Sequence, residues 1–176
     1  MPIVTESLLL RRPEAGDAAW ITREIANPRF HRWLTNPPKP FARIDAEAWL
    51  ARVSGDPMVR VIEAGGAPQG VVSISTRGGE RNLGYWLAER AWGQGSMTEA
   101  AGALARYFFT REAGPLHSGW LIGNGASERV LRKLGFRDDG ESTEFSRFHG
   151  CRMRNIRVVL DAADGLHAPP SRAKRG

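Results

Sequence analysis

Residues 89–100 read ERAWGQGSMTEA, with Gly93 and Gly95 set around Gln94 directly before Met97, Ala100, Ala101, Leu104, Ala105 and Phe108, an apolar stripe at helical spacing. The first N–H groups of a helix have no partner inside it, and with the helix dipole they attract an anion. Glycine there removes side chains that would block the approach, and it admits the dihedrals that aim successive N–H groups at one point. The junction therefore suits a phosphate or pyrophosphate, although the same pattern also serves a plain tight turn. It is not a P-loop, because no Gly-Lys-Ser/Thr follows, and G-x-G-x-x-G is incomplete.

The elements that must position this junction alternate in type. SLLLRRP (7–13) reads as a short strand, and GDAAWITREIAN (16–27) as a helix with Asp17 near its cap, ending before Pro28. RIDAEAWLARVSG (43–55) reads as a second helix with Asp45 as N-cap and Trp49, Leu50 and Val53 on one face. Between them, TNPPKPF (35–41) is a stiff loop that cannot join a sheet. The period then changes to two: VRVIEAGG and GVVSIST flank a connection over Gly65–Gly70, and NLGYWLA (82–88) follows as the third strand of a meander. After the helix that opens at Gly95 or Ser96 come a strand, LHSGWLI (116–122), and a helix, NGASERVLRKLGF (124–136), with Val130, Leu131 and Leu134 inward and Gly135 as its stop. Strand-like stretches around ESTEFSRF and NIRVVLD close the chain. A strand–helix–strand unit requires a crossover, so the sheet is expected to be mixed.

Composition narrows the function. The 176 residues suit one domain, expected over 1–167. No apolar run approaches the roughly 18 residues that span a bilayer, and no basic leader precedes the first strand; the expectation is a soluble, cytoplasmic protein with no membrane partner. One cysteine, Cys151, and four scattered histidines give no disulfide and no metal spacing. Of the net charge of +6, three units sit in Arg172, Lys174 and Arg175, in a Pro- and Ser-containing stretch expected to be a disordered basic tail over 168–176. The rest is only mildly basic, which disfavours nucleic acid as a partner.

Arg90, Gly93 and Gly95 fit the R/Q-x-x-G-x-G/A coenzyme A signature, and LGYWLAERAWGQGSMTEA together with NGASERVLRKLGFR resembles the GNAT acetyltransferases, in particular the RimJ/RimL-like branch that acetylates ribosomal-protein N-termini. The similarity runs over about residues 7–161. It implies an α+β fold: a mixed central sheet of about seven strands flanked by about four helices, with the fourth and fifth strands splayed around acetyl-CoA. The resemblance further implies that N–H groups of about Trp92 to Met97, with Gln94 and Ser96 among them, hold the pyrophosphate. The edge at Leu87 and Ala88 would pair with the pantetheine amides, Arg90 would reach a phosphate oxygen, and Asn124 would contact the pantetheine arm or simply cap its helix. Family members often form dimers, so a homodimer is admitted, without an interface signal in the sequence.

The family's reaction is attack of an amine on a thioester, which requires a neutral amine, an N–H donor for the oxyanion and a source of protons for the departing thiolate. The oxyanion donor falls to a backbone N–H near Leu87. Many relatives carry an acid where this chain has Asn82, and an amide is no base. Glu80, two residues earlier on the same strand face, replaces it as first candidate, with Glu141 and Glu144 beyond the second motif as others. Ser127 and Tyr85 are candidate acids, and Ser127 also suits a capping role. At pH 7 about 10–20% of α-amines but under about 0.1% of lysines are neutral, so a weak base suits an N-terminal α-amine as acceptor. His31 and Trp33, in a segment placed to act as a lid, are candidates to line the acceptor site. Two other readings share these residues: acetylation of a small-molecule or antibiotic amine, and an acyl-CoA binding module without catalysis, the latter motivated by Asn82.

Overall fold

A computed structural model describes residues 1–163; the expected tail lies outside the described residues. Eight strands form one sheet: β1 (Ile3–Val4), β2 (Leu9–Arg11), β3 (Val59–Ala64), β4 (Ala67–Arg77), β5 (Glu80–Leu87), β6 (Leu116–Leu121), β7 (Arg137–Ser146) and β8 (Cys151–Leu160), in the spatial order β1-β2-β3-β4-β5-β6-β8-β7. Every neighbouring pair is antiparallel except β5–β6. That parallel pair is joined by the crossover the sequence requires, through α4 (Ser96–Phe109).

The remaining helices are α1 (Ala18–Ile25), α2 (Pro28–His31), α3 (Arg43–Val53) and α5 (Gly125–Lys133). Among the described residues, one strand and one helix thus exceed the expected seven and four. β1 has only two residues, too few to show a period, and α2 is a single turn that starts at Pro28 behind the Asn27 cap. Two local expectations also change. The first hairpin turns at Gly65–Gly66, with φ of 57° and 75°, while Gly70 lies inside β4. Asp45 is the third residue of α3, not its cap; its Oδ2 accepts from the Ala42 N–H at 2.8 Å, reaching back to the helix start from one turn in.

The pairing of β5 decides the shape. β5 matches β4 along its whole length, Glu80 to Leu87, whereas its register with β6 ends after Arg81↔Leu116 and Asn82↔His117. β6 instead follows β8 for its full length. Two glycines hold these outer pairings close: a Cβ on Gly70 would lie 2.3 Å from the Trp86 carbonyl oxygen, and one on Gly119 2.5 Å from that of Ile156. Each strand is bound to its outer neighbour, and a gap opens between β5 and β6.

Each face of the sheet has its own core. One, under α4 and α5, contains Val72, Ile74, Leu83, Leu104, Phe108, Leu131 and Val158; the other, under α1 and α3, contains Trp20, Ile21, Ile25, Phe30, Leu50, Val61 and Val71. Alternation along β5 sends Tyr85 to the first and Trp86 to the second, where its ring centroid lies 5.4 Å from those of both Trp20 and Phe30. Both rings are half-buried against their cores, and together they anchor the strand that borders the gap. Two acids tie the ends together, Asp17 buried and Glu99 half-buried. Asp17 accepts from the Arg11 guanidinium at 2.7 and 2.8 Å, from Trp20 Nε1 at 2.7 Å and from the Glu14 N–H at 2.8 Å. On α4, Glu99 accepts from Thr5 and from the Ser7 hydroxyl and N–H, fixing the β1–β2 connection to that helix.

Candidate active site

A cleft of about 1260 Å³ runs through the gap and opens on both faces of the sheet. Its wall on the α4/α5 side begins where β5 ends. Gly93 and Gly95 have φ of 77° and 84°, and a Cβ at either would meet no protein atom within 4 Å, so the dihedral rather than crowding calls for glycine. Gly95 stands at the N-cap of α4 without a side-chain cap, which leaves the leading N–H groups of the helix to whatever enters the cleft. Leu87, Trp92, Gly93, Gly95, Ser96, Met97 and Thr98 all line it.

Across the gap, Asn124 caps α5: its Oδ1 accepts from the Ser127 N–H at 3.2 Å. This fixes the Ser127 hydroxyl 2.9 Å from the Tyr85 hydroxyl, which bridges from β5. Burial pushes the Tyr85 phenol well above its ordinary pKa of 10.0, with the Ser127 contact opposing. The pair stays protonated at neutral pH. On β6, the Ser118 hydroxyl donates to the Leu83 carbonyl at 2.9 Å, so the Leu83 backbone faces the gap. Backbone groups alternate along a strand, and those of Tyr85 and Leu87 face it too. Trp92 Nε1 occupies the Leu87 carbonyl at 2.9 Å, while the Leu87 N–H points into the gap.

On the α1/α3 side the strand registers define a polar floor. Directly paired residues share a face, so Ser73↔Gly84, Ser75↔Asn82 and Arg77↔Glu80 lie side by side, continued across the gap by Gly119, Arg157, Asn155, Ser142 and Glu144. A Cβ on Gly84 would meet only the Ser73 hydroxyl, at 3.8 Å, so this stretch of floor stays clear. Glu80 lies on Arg157, with both carboxylate oxygens 3.0–3.1 Å from Nη2. Asn82 donates to the Glu80 carbonyl at 3.1 Å. Glu144 lines the same floor and has no ion pair among the described residues. Glu141, by contrast, is bound to Arg154 at 2.8 Å outside the cleft.

Four expected residues are not brought to the cleft. The Ala88 N–H donates to the Gln69 carbonyl at 2.8 Å, toward β4, because it sits one residue out of phase with Leu87. The Arg90 guanidinium reaches Glu24 at 2.5 Å and the Pro68 carbonyl at 2.6 Å. Gln94 folds back on the Arg90 carbonyl at 3.0 Å. His31 is buried beneath Phe148, with Nε2 3.3 Å from the Pro37 carbonyl oxygen; burial holds its pKa below the ordinary 6.5, Lys39 pushing the same way and the Pro37 contact opposing. Trp33 does line the cleft, and its ring approaches to 3.6 Å the place where a Gly123 Cβ would be. The floor residues Ser73, Ser75, Arg77, Asn155 and Arg157 escaped sequence reasoning. GVVSISTR shows their period-two polarity, but only the register reveals that the alternation borders a gap.

Residues 7–137 match the Acetyltransferase (GNAT) domain family. The chain belongs to the GNAT acetyltransferase family. No curated protein sequence matches it. Solved structures resemble this GNAT acetyltransferase in fold: a GNAT acetyltransferase from Bacillus anthracis (18% identity, TM-score 0.79, covering 93% of this chain and 99% of that one) and a ribosomal-protein-S5-alanine acetyltransferase from Vibrio fischeri (21%, 0.75, 93% and 98%). A third is the ribosomal L7/L12 α-N-protein acetyltransferase RimL in complex with coenzyme A (18%, 0.79, 92% and 98%). This GNAT acetyltransferase has no group of three or more His, Cys, Asp or Glu placed for a metal, and no helix long and apolar enough to cross a membrane, among its described residues.

Proposed function

We propose that the protein works in the cytoplasm and transfers the acetyl group of acetyl-CoA to the α-amine of a peptide or protein N-terminus by direct attack, with a ribosomal protein as acceptor, the class its structural neighbours are named for. One observation carries the reading: the cleft joins two chemically different faces of the sheet at the β5–β6 gap. Hydroxyls and a glycine-framed helix start lie on one side, and carboxylates on the other.

The leading N–H groups of α4 receive the pyrophosphate, and Asn124 and the β5 edge at Leu87 hold the pantetheine arm, acetyl-CoA supplying the activated acyl group. An amine arriving over Gly84 gives up its proton to a carboxylate of the floor. Glu144 suits this better than Glu80, because both Glu80 oxygens are occupied by Arg157 whereas Glu144 has no ion pair among the described residues. Attack on the carbonyl carbon places negative charge on its oxygen, which the Leu87 N–H stabilises. Collapse breaks the C–S bond while the attacking nitrogen loses a further proton, which the departing thiolate takes up, and the Tyr85–Ser127 hydroxyl pair, 2.9 Å apart, hydrogen-bonds that sulfur. A phenol raised in pKa acts there as a hydrogen-bond donor and a holder of Ser127 rather than as a strong acid.

The test is thiol release from acetyl-CoA with peptide α-amines, polyamines, aminoglycosides and free amino acids, using the protein and its Glu144→Gln and Glu80→Gln variants. The reading predicts activity on peptides and a loss of about 100-fold or more in kcat at pH 7 for Glu144→Gln, partly recovered at higher pH as more of the amine is neutral. Tight acetyl-CoA binding with no release on any amine would favour a binding module instead.

A further inference from the structure

The floor on the α1/α3 side carries more positive charge than its own acids answer. Arg77, at the end of β4, lies directly across from Glu80. Opposite charges in that position ordinarily pair, but both Glu80 oxygens sit on Arg157, which also reaches Asp139 at 3.0 Å. Arg77 is left without an ion pair among the described residues. Arg52 joins it from α3, whose cleft-facing stripe is Asp45, Ala48, Trp49 and Arg52; the only acid of that stripe, Asp45, is committed to the helix start. Arg147 enters from the β7–β8 turn, held by its N–H to the Thr35 carbonyl at 3.0 Å, and it too has no ion pair among the described residues. Three cations from three elements thus face one groove, against Glu144 as the free carboxylate.

We infer that the groove selects acceptors whose amine is followed closely by acidic side chains. This rests on the acetyl-transfer reading for the position of the amine. An extended chain whose amine lies over Gly84, the partner of Ser73, reaches the level of Arg77 four residues further along β4, about 13 Å away. Aspartate or glutamate within the first five residues of the acceptor therefore falls beside Arg77 and Arg52, while the ammonium end meets Glu144. Polyamines and lysine-rich termini meet like charge along the same path.

The experiment titrates three N-terminal peptides into the full protein saturated with coenzyme A, followed by calorimetry. The peptides are identical except that residues 2–5 are acidic, neutral or basic. The expected result is binding of the acidic peptide about fivefold or more tighter than the neutral one, with the basic peptide weakest and the differences shrinking in 0.5 M salt. Arg77→Gln reduces the preference, and Arg52→Glu combined with Arg77→Glu reverses it. Equal affinity for all three, a preference for the basic peptide, or no peptide binding would overturn the assignment. Binding is read apart from turnover, so the two readings fail separately. A protein that holds acidic peptides without acetylating them keeps this groove and loses the transfer; one that acetylates all three alike does the reverse.

Discussion

Ser127 shows how one residue serves two purposes at once. Its N–H completes the Asn124 cap of α5, and its hydroxyl meets Tyr85 across the gap at 2.9 Å. Ser127→Ala keeps the first contact and removes the second, so the helix should persist while kcat falls about 10- to 100-fold, the value of a hydrogen bond to a charged group. Steady-state kinetics check this: the KM for acetyl-CoA should change little, whereas a purely structural serine would move kcat and melting temperature together. Arg60 poses the opposite case, a charged group with no chemistry assigned. Its side chain on β3 is fully buried, and its three guanidinium nitrogens have no hydrogen-bond acceptor within normal geometry; Cζ lies 5.5 Å from the Tyr107 ring centroid, and Tyr107 and Asp56 offset only part of the cost of burial. Burial holds its pKa below the ordinary value. Since an uncompensated buried charge destabilises the native state, Arg60→Met should leave the protein as stable or raise its stability by about 1–4 kcal/mol in denaturant unfolding.

Among the elements, the segment over residues 31–39 is tied down by aromatic and charged contacts from the β7–β8 turn. Phe148 lies against His31 and His149, Lys39 Nζ sits 3.9 Å from the Phe148 ring centroid, and His149 Nε2 is 3.1 Å from the Arg32 carbonyl oxygen. His31 is a histidine whose folded pKa is depressed, so below about pH 6.5 the unfolded chain binds more protons than the native one. The stability it contributes is present above that pH and is lost as pH falls through the depressed folded value. Thermal melts of the protein and of His31→Phe should therefore diverge between about pH 7.5 and 5.5, the variant having the shallower slope. None of this clasp was legible in the sequence, which marks TNPPKPF as a stiff loop but not what it packs against. The glycine-framed start of α4 was legible because its signal is local: helical spacing behind two residues suited to positive φ. Arg90 and Ala88 were misplaced for a complementary reason. A motif gives neighbours along the chain, whereas the direction of a guanidinium depends on Glu24 and Pro68, and that of an N–H on strand phase.

For the whole molecule, the organising feature is a sheet divided between two loyalties, β5 to β4 and β6 to β8, with a separate hydrophobic core under each face. Period two along β5 sorts the side chains between the faces: Tyr85 on the one that also holds the glycine-framed start of α4, Glu80, Asn82 and Gly84 on the other. The mixed sheet followed from element order alone, but the two-faced cleft required the registers. On the proposed transfer, the amine enters from the face opposite the hydroxyl pair and loses its proton to a carboxylate there, which predicts the position of the acetyl group in the product. The most direct test is mass-spectrometric mapping of one acidic peptide that carries both a free α-amine and an internal lysine, after incubation with the protein and acetyl-CoA. The expected product carries the acetyl group on the α-amine and an unmodified lysine. Acetylation confined to the lysine, or an unmodified peptide beside an acetylated polyamine in the same tube, would contradict it.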